Sequence, residues 1–156
     1  MSTYQIDRIE QEELKLIGYS IKESLNSVLQ SRIVGVLREQ LAARGNELRN
    51  RNKEGIYLIQ IYNQDGQWTH DTPYQHVVAF EVSAFEDIPD GMTSYTLPSG
   101  SYIRIIHEGA ESEVGDTYDY INSTFGVRPI DIEYWNDIYS LDRQDARIDI
   151  LIPAKP

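Results

Sequence analysis

Glu133 and Trp135 lie two residues apart in the segment Ile130-Asp131-Ile132-Glu133-Tyr134-Trp135-Asn136. Side chains of an extended strand alternate faces, so Asp131, Glu133 and Trp135 share one face and Ile130, Ile132 and Tyr134 the other. An acid beside an indole suits an organic cation. The ring offers its negative π-face and the carboxylate supplies the counter-charge. Desolvation in such a site raises a carboxyl pKa and a bound cation lowers it again, so cation affinity is expected to weaken as Glu133 protonates. The isoleucine face suits a core. The acids Asp116, Asp119, Asp131, Asp137 and Asp142 read most simply as solvated surface whose field attracts cations.

An earlier stretch, Ile59-Gln60-Ile61-Tyr62-Asn63, has almost the same pattern. Gln60 and Glu133 are 73 residues apart, as are Tyr62 and Trp135. The chain therefore looks like two copies of one unit, with the acid in only one. If a twofold axis runs between the copies, Tyr62 and Trp135 face each other and sandwich a flat ring; the alternative is that both pack in a core. Gln60 becomes the neutral counterpart of Glu133, placed to hydrogen-bond a polar ligand.

The elements that must position these residues follow from periodicity and turn chemistry. Residues 1–10 read as a polar lead-in and residues 14–22 as a strand. Ser24 is a plausible N-cap, and Leu25, Val28, Leu29, Ile33, Val36, Leu37 and Leu41 recur at helical spacing until Gly45. Residues 55–63 and 74–85 predict a hairpin around Asp65-Gly66, with Trp68 in the loop as a lid or an ordinary exposed residue. Asp87-Ile-Pro-Asp-Gly91 marks the midpoint. A strand over 93–107 follows, interrupted by Pro98-Ser99-Gly100. Val114, Tyr118, Ile121 and Phe125 then predict a helix closed by Gly126, and strands are expected over 130–137 and 146–153. Each half reads strand, helix, strand, strand. The first strands, at Ile17-Gly18-Tyr19 and Ile103-Arg104-Ile105, are 86 residues apart, as a longer first helix requires.

Composition narrows the function classes. At 156 residues and 40% hydrophobic, the chain suits one domain over 1–156, with half-units of about 11–87 and 88–156. A net charge of −11 argues against direct nucleic-acid binding, which needs clustered Lys and Arg. The cluster Arg44, Arg49, Arg51 and Lys53 alternates with Glu47 and Glu54 and reads as a solvated loop. Cysteine is absent, so no disulfide or thiolate site exists. No apolar signal region or long apolar run occurs, and a cytoplasmic location is expected. His70, His76 and His107 form no metal motif, and no P-loop, dinucleotide fingerprint or serine elbow is present; neither metal nor cofactor is expected.

Three runs, Ile88-Pro89-Asp90-Gly91-Met92, Leu97-Pro98-Ser99-Gly100-Ser101-Tyr102 and His107-Glu108-Gly109, resemble the second-half signature of the GyrI-like small-molecule-binding family. That bacterial family includes the effector-binding domains of AraC- and MerR-type multidrug-responsive transcription regulators. Its pattern continues through a strand with a glutamate beside an aromatic, here Glu133-Tyr134, to a terminal strand ending like Ile150-Leu151-Ile152-Pro153. The resemblance spans about residues 14–153. It implies an α+β fold of two pseudo-symmetric βαββ units, with helices on one side and a ligand groove between the units on the other. It also implies binding of amphipathic, often cationic, molecules with Glu133 as counter-ion, and it places Tyr102 in the pocket wall. About ten polar residues precede the first expected strand, so an effector sensor without its own DNA-binding region is anticipated. Two rival readings remain open. One is a hydrolase with Glu133 as general base and Tyr102 assisting; the other is a protein-binding inhibitor of the gyrase-directed type. A separate protein partner, and a monomeric or dimeric state, are open too.

Overall fold

The computed structural model describes residues 4–62, 69 and 71–154. Its framework is one antiparallel sheet of eight strands: β1 (Gln5–Gln11), β2 (Leu14–Glu23), β3 (Ile56–Ile61), β4 (Tyr74–Val82), β5 (Thr93–Leu97), β6 (Gly100–Glu108), β7 (Ile130–Trp135) and β8 (Arg147–Pro153). They lie in the order β1-β6-β8-β7-β3-β4-β2-β5. The helices are α1 (Leu25–Ser31), α2 (Ile33–Ala43) and α3 (Val114–Phe125). The fold is α+β, as expected.

The inner six strands read β6-β8-β7 against β3-β4-β2, two βαββ halves meeting at the β3–β7 seam. Each half lends its leading strand to the other. β1 pairs with β6 and β5 pairs with β2. This corrects the lead-in reading of residues 1–10. β1 is an edge strand held by backbone pairing, and its mostly polar side chains leave little apolar pattern to read. The 86-residue offset survives: it carries Gln11 onto Leu97 and Leu14 onto Gly100, where the two exchanged ladders meet their turns.

The 73-residue offset does not survive the register. With Gly18 equivalent to Arg104, their ladder partners Ala79 and Leu151 are equivalent. Tyr57 and Ile132 follow from them, an offset of 75. The counterpart of Glu133 is therefore Leu58, its direct cross-strand neighbour, and the counterpart of Trp135 is Gln60. A period-two pattern matches itself at every even shift, so local similarity cannot choose between registers two residues apart.

The expected first helix is broken. Arg32, at φ 56°, ends α1 and starts α2. Ser24 caps α1 by accepting from the Ser27 amide, but no residue of α1 is buried. α2 buries Leu37 and Leu41, α3 buries Ile121, and both pack on one face of the sheet with Ile56, Leu58, Val78, Phe80, Ile105, Trp135, Ile148 and Ile150. The opposite face gathers Leu16, Tyr57, Ile59, Val77, Tyr102, Ile132 and Leu151 into a second cluster. The Asp65-Gly66 turn, Trp68 and His70 lie outside the described residues. No helix among the described residues is long and apolar enough to cross a membrane.

Candidate ligand-binding site

Ladder pairing sets out one polar row on the helix-bearing face of the sheet. Trp135 stands opposite Ile56, Glu133 opposite Leu58 and Asp131 opposite Gln60. Gln60 in turn stands opposite His76 on β4. The acid-bearing face is thus the one the helices cover, not the side away from them. Hydrophobic residues of α2 and α3 cover it, so Trp135, Glu133, Asp131 and His76 are buried and Gln60 is half-buried.

Glu133 is buried. The Tyr118 hydroxyl of α3 donates to its Oε2 at 2.7 Å, and Trp135 Nε1 donates to its Oε1 at 2.9 Å. Gln60 Nε2 lies 3.5 Å from the same Oε2 and 3.2 Å from the Tyr118 oxygen. All three donors are neutral, and no Lys or Arg among the described residues forms an ion pair with this carboxylate. Burial pushes its pKa up, the Tyr118 and Trp135 bonds oppose that, and the charges of Glu111 and Asp131 add to it. Burial and the Glu133 charge hold Tyr118 well above the usual phenol range, so it stays a donor.

Asp131 is also buried, which corrects its reading as solvated surface. Arg128 grips it with two bonds, Nε to Oδ1 at 2.6 Å and Nη2 to Oδ2 at 3.0 Å, and the Tyr62 hydroxyl donates at 2.6 Å. Burial and the Asp131 charge push the Tyr62 phenol up. Tyr62 therefore does not face Trp135. It sits beyond the Asp131 end of the row while Trp135 holds the other end, six residues or ~20 Å away along the seam. The flat-ring sandwich is not built.

Tyr102 belongs to the cluster on the opposite face of the sheet, its hydroxyl 3.4 Å from the Pro98 carbonyl. It cannot assist Glu133 as a proton donor. The tyrosine that reaches the carboxylate is Tyr118, named in the sequence only as an apolar position of its helix. Arg128 was also missed. Its signal was available: three residues before Asp131, it sits where a local bidentate pair forms. His76 is buried, its Nε2 bonded to the Glu23 carbonyl and its Nδ1 without a partner, and burial lowers its pKa. His107 is a satisfied core histidine, its Nδ1 2.7 Å from the Thr117 hydroxyl and its Nε2 3.0 Å from the Ala110 carbonyl.

Two surface depressions share a wall at Ile138 and Tyr139: one of about 370 Å³ beside Arg38, Glu111 and Leu141, the other of about 920 Å³ beside Arg51, Phe80 and Tyr134. Glu133 lines neither and is buried. The arrangement can hold one buried negative charge against an aromatic wall, in a place water reaches poorly.

Residues 8–154 match the family described as Cass2, integron-associated effector binding protein. A transcriptional regulator, BrlR of Pseudomonas aeruginosa, is 24% identical over 130 residues, covering 77% of this chain and 46% of that protein. The chain thus spans about half the length of that relative. Among solved structures, SAV2435 bound to tetraphenylphosphonium superposes with a TM-score of 0.71 at 20% identity, covering 99% of this chain and 94% of that one. The EcmrR C-terminal domain gives 0.70 at 13% identity, covering 99% of both chains.

Proposed function

Because the chain belongs to the integron-associated effector binding protein family, with the GyrI-like effector-binding fold, we propose that it binds small amphipathic organic cations at the β3–β7 seam, with Glu133 as counter-charge. The observation that carries this reading is the unneutralised state of Glu133. Burying a carboxylate without a cation is costly, and Asp131, on the same face of the same strand, has its arginine. A ligand cation is the partner Glu133 lacks. Trp135 supplies an aromatic wall and Gln60 a polar contact. The tetraphenylphosphonium held by SAV2435 is a ligand of the same class. Tyr102, which the family resemblance placed in the pocket wall, is assigned no part.

The role that follows is an effector sensor of the transcription-regulator kind. A hydrolase is the weaker reading, since Tyr102, the tyrosine expected to assist Glu133, lies on the opposite face of the sheet.

Calorimetric titration with tetraphenylphosphonium tests the proposal on the parent chain and on Glu133→Gln. We expect saturable binding that the substitution weakens at least tenfold, or ~1.4 kcal/mol. Affinity should also fall as pH drops through the raised Glu133 pKa. Binding that is indifferent to Glu133→Gln, or flat with pH down to about 4, rules the role out.

A further inference from the structure

The outer face of Trp135 is already occupied. Arg38, on α2, holds its guanidinium carbon 4.7 Å from the Trp135 ring centroid. The same guanidinium makes two bonds to Glu111, at 2.6 and 3.1 Å. Arg38 belongs to the first half of the chain and Glu111 to the 3-10 turn (Glu111–Glu113) before α3, so the pair spans both halves. At the ring edge, Trp135 Nε1 donates to Glu133. Side-chain exposure falls from 35% at Glu111 to 14% at Arg38, and Trp135 and Glu133 beneath are buried. One guanidinium thus bonds an outer carboxylate and lies against an indole, whose own N–H holds a second, buried carboxylate.

We propose that Arg38 is a built-in occupant of the cation subsite. An arylated organic cation binds by displacing the guanidinium from the Trp135 ring, and Glu111, released from Arg38, becomes the second carboxylate facing the ligand. This rests on the cation-binding reading above and assigns it two further residues. A guanidinium is flat, delocalised and weakly hydrated, which suits it to rest on an aromatic face. It keeps the indole covered while no ligand is present. Glu111 is 35% exposed, so water can solvate its carboxylate as the guanidinium leaves. The 370 Å³ depression lined by Arg38 and Glu111 is where the displaced side chain and the ligand's aryl groups find room. Competition from the internal cation lowers the apparent affinity of every ligand by the cost of opening.

The test uses tetraphenylphosphonium and calorimetry on the parent, Glu133→Gln, Arg38→Ala and Arg38→Met. Methionine keeps most of the packing of the arginine stem. Both Arg38 variants are expected to bind about tenfold more tightly than the parent. Equal or weaker binding by the folded variants, with Glu133-dependent binding in the parent, overturns the displacement and leaves the proposed function standing. Binding absent from the parent, or unaffected by Glu133→Gln, overturns the function itself and the displacement with it. Should the variants unfold, the parent still answers. The Arg38 Hδ resonances, shifted by the indole ring in the free protein, are expected to lose that shift at saturating tetraphenylphosphonium. A shift retained at saturation overturns the displacement.

Discussion

Asp131 and Glu133 are two buried acids on one face of β7, and the protein treats them oppositely. Asp131 has an arginine with two bonds and a tyrosine hydroxyl; Glu133 has a phenol, an indole and a distant amide, all neutral. Arg128 reaches Asp131 because Gly126, at φ 78°, ends α3 and turns the chain into the strand, and the Gly126 carbonyl accepts a 2.6 Å bond from Arg128 Nη1. No such chain reversal serves Glu133, which sits at the centre of the seam opposite Leu58. A structural charge is satisfied from within the chain. On the proposed reading Glu133 is the charge kept for a ligand, left with donors that favour the carboxylate without cancelling it.

The contrast breaks most visibly at its neutralised member. Arg128→Met leaves Asp131 buried and unpaired, and urea denaturation should record a loss of about 3–5 kcal/mol. Adding Asp131→Asn should recover most of it. A loss within ~0.5 kcal/mol, the range of surface substitutions, would mean that the pair is not structural.

The effect at Glu133 is smaller and has the opposite sign. Its folded pKa is raised, so the folded state binds the proton more tightly than the unfolded chain. The resulting cost is absent below the ordinary carboxylate pKa and complete above the raised value. Glu133→Gln should therefore stabilise the unliganded protein at neutral pH. The gain should vanish towards pH ~4. Thermal melts across that range measure it, and destabilisation at neutral pH would show that the carboxylate is held as a structural ion. The smallest effect sharpens the comparison. Tyr118→Phe removes one donor from the carboxylate, so the acid limb of tetraphenylphosphonium binding should move to higher pH. An unmoved limb would mean that Tyr118 does not tune the charge.

Much of the fold was legible because it rests on local rules. Strand alternation put Asp131, Glu133 and Trp135 on one face and Ser24 marked a helix start, while Pro98-Ser99-Gly100, expected to interrupt one strand over 93–107, divides it into β5 and β6 with different partners. Three features were not legible, each for a physical reason. Arg32 adopts a left-handed conformation that interrupts an unbroken helical pattern, and nothing in its side chain announces that. β1 is held to β6 by backbone bonds, which depend on no particular side chain. The two-residue slip between the repeats changes no residue's face, so pattern matching could not detect it.

The sequence by itself determined that an acid and an indole share a strand face, that the chain is built from two halves, and which half carries the acid. These are consequences of covalent spacing and backbone geometry. Tertiary structure decided the rest. It turned that face inward under the helices, set Tyr118 rather than Tyr102 beside Glu133, gave Arg128 to Asp131, and laid Arg38 over Trp135. Those choices depend on which face each helix covers and how strands from distant parts of the chain align. Both are fixed by the packing of the whole core, and no local stretch of sequence contains them.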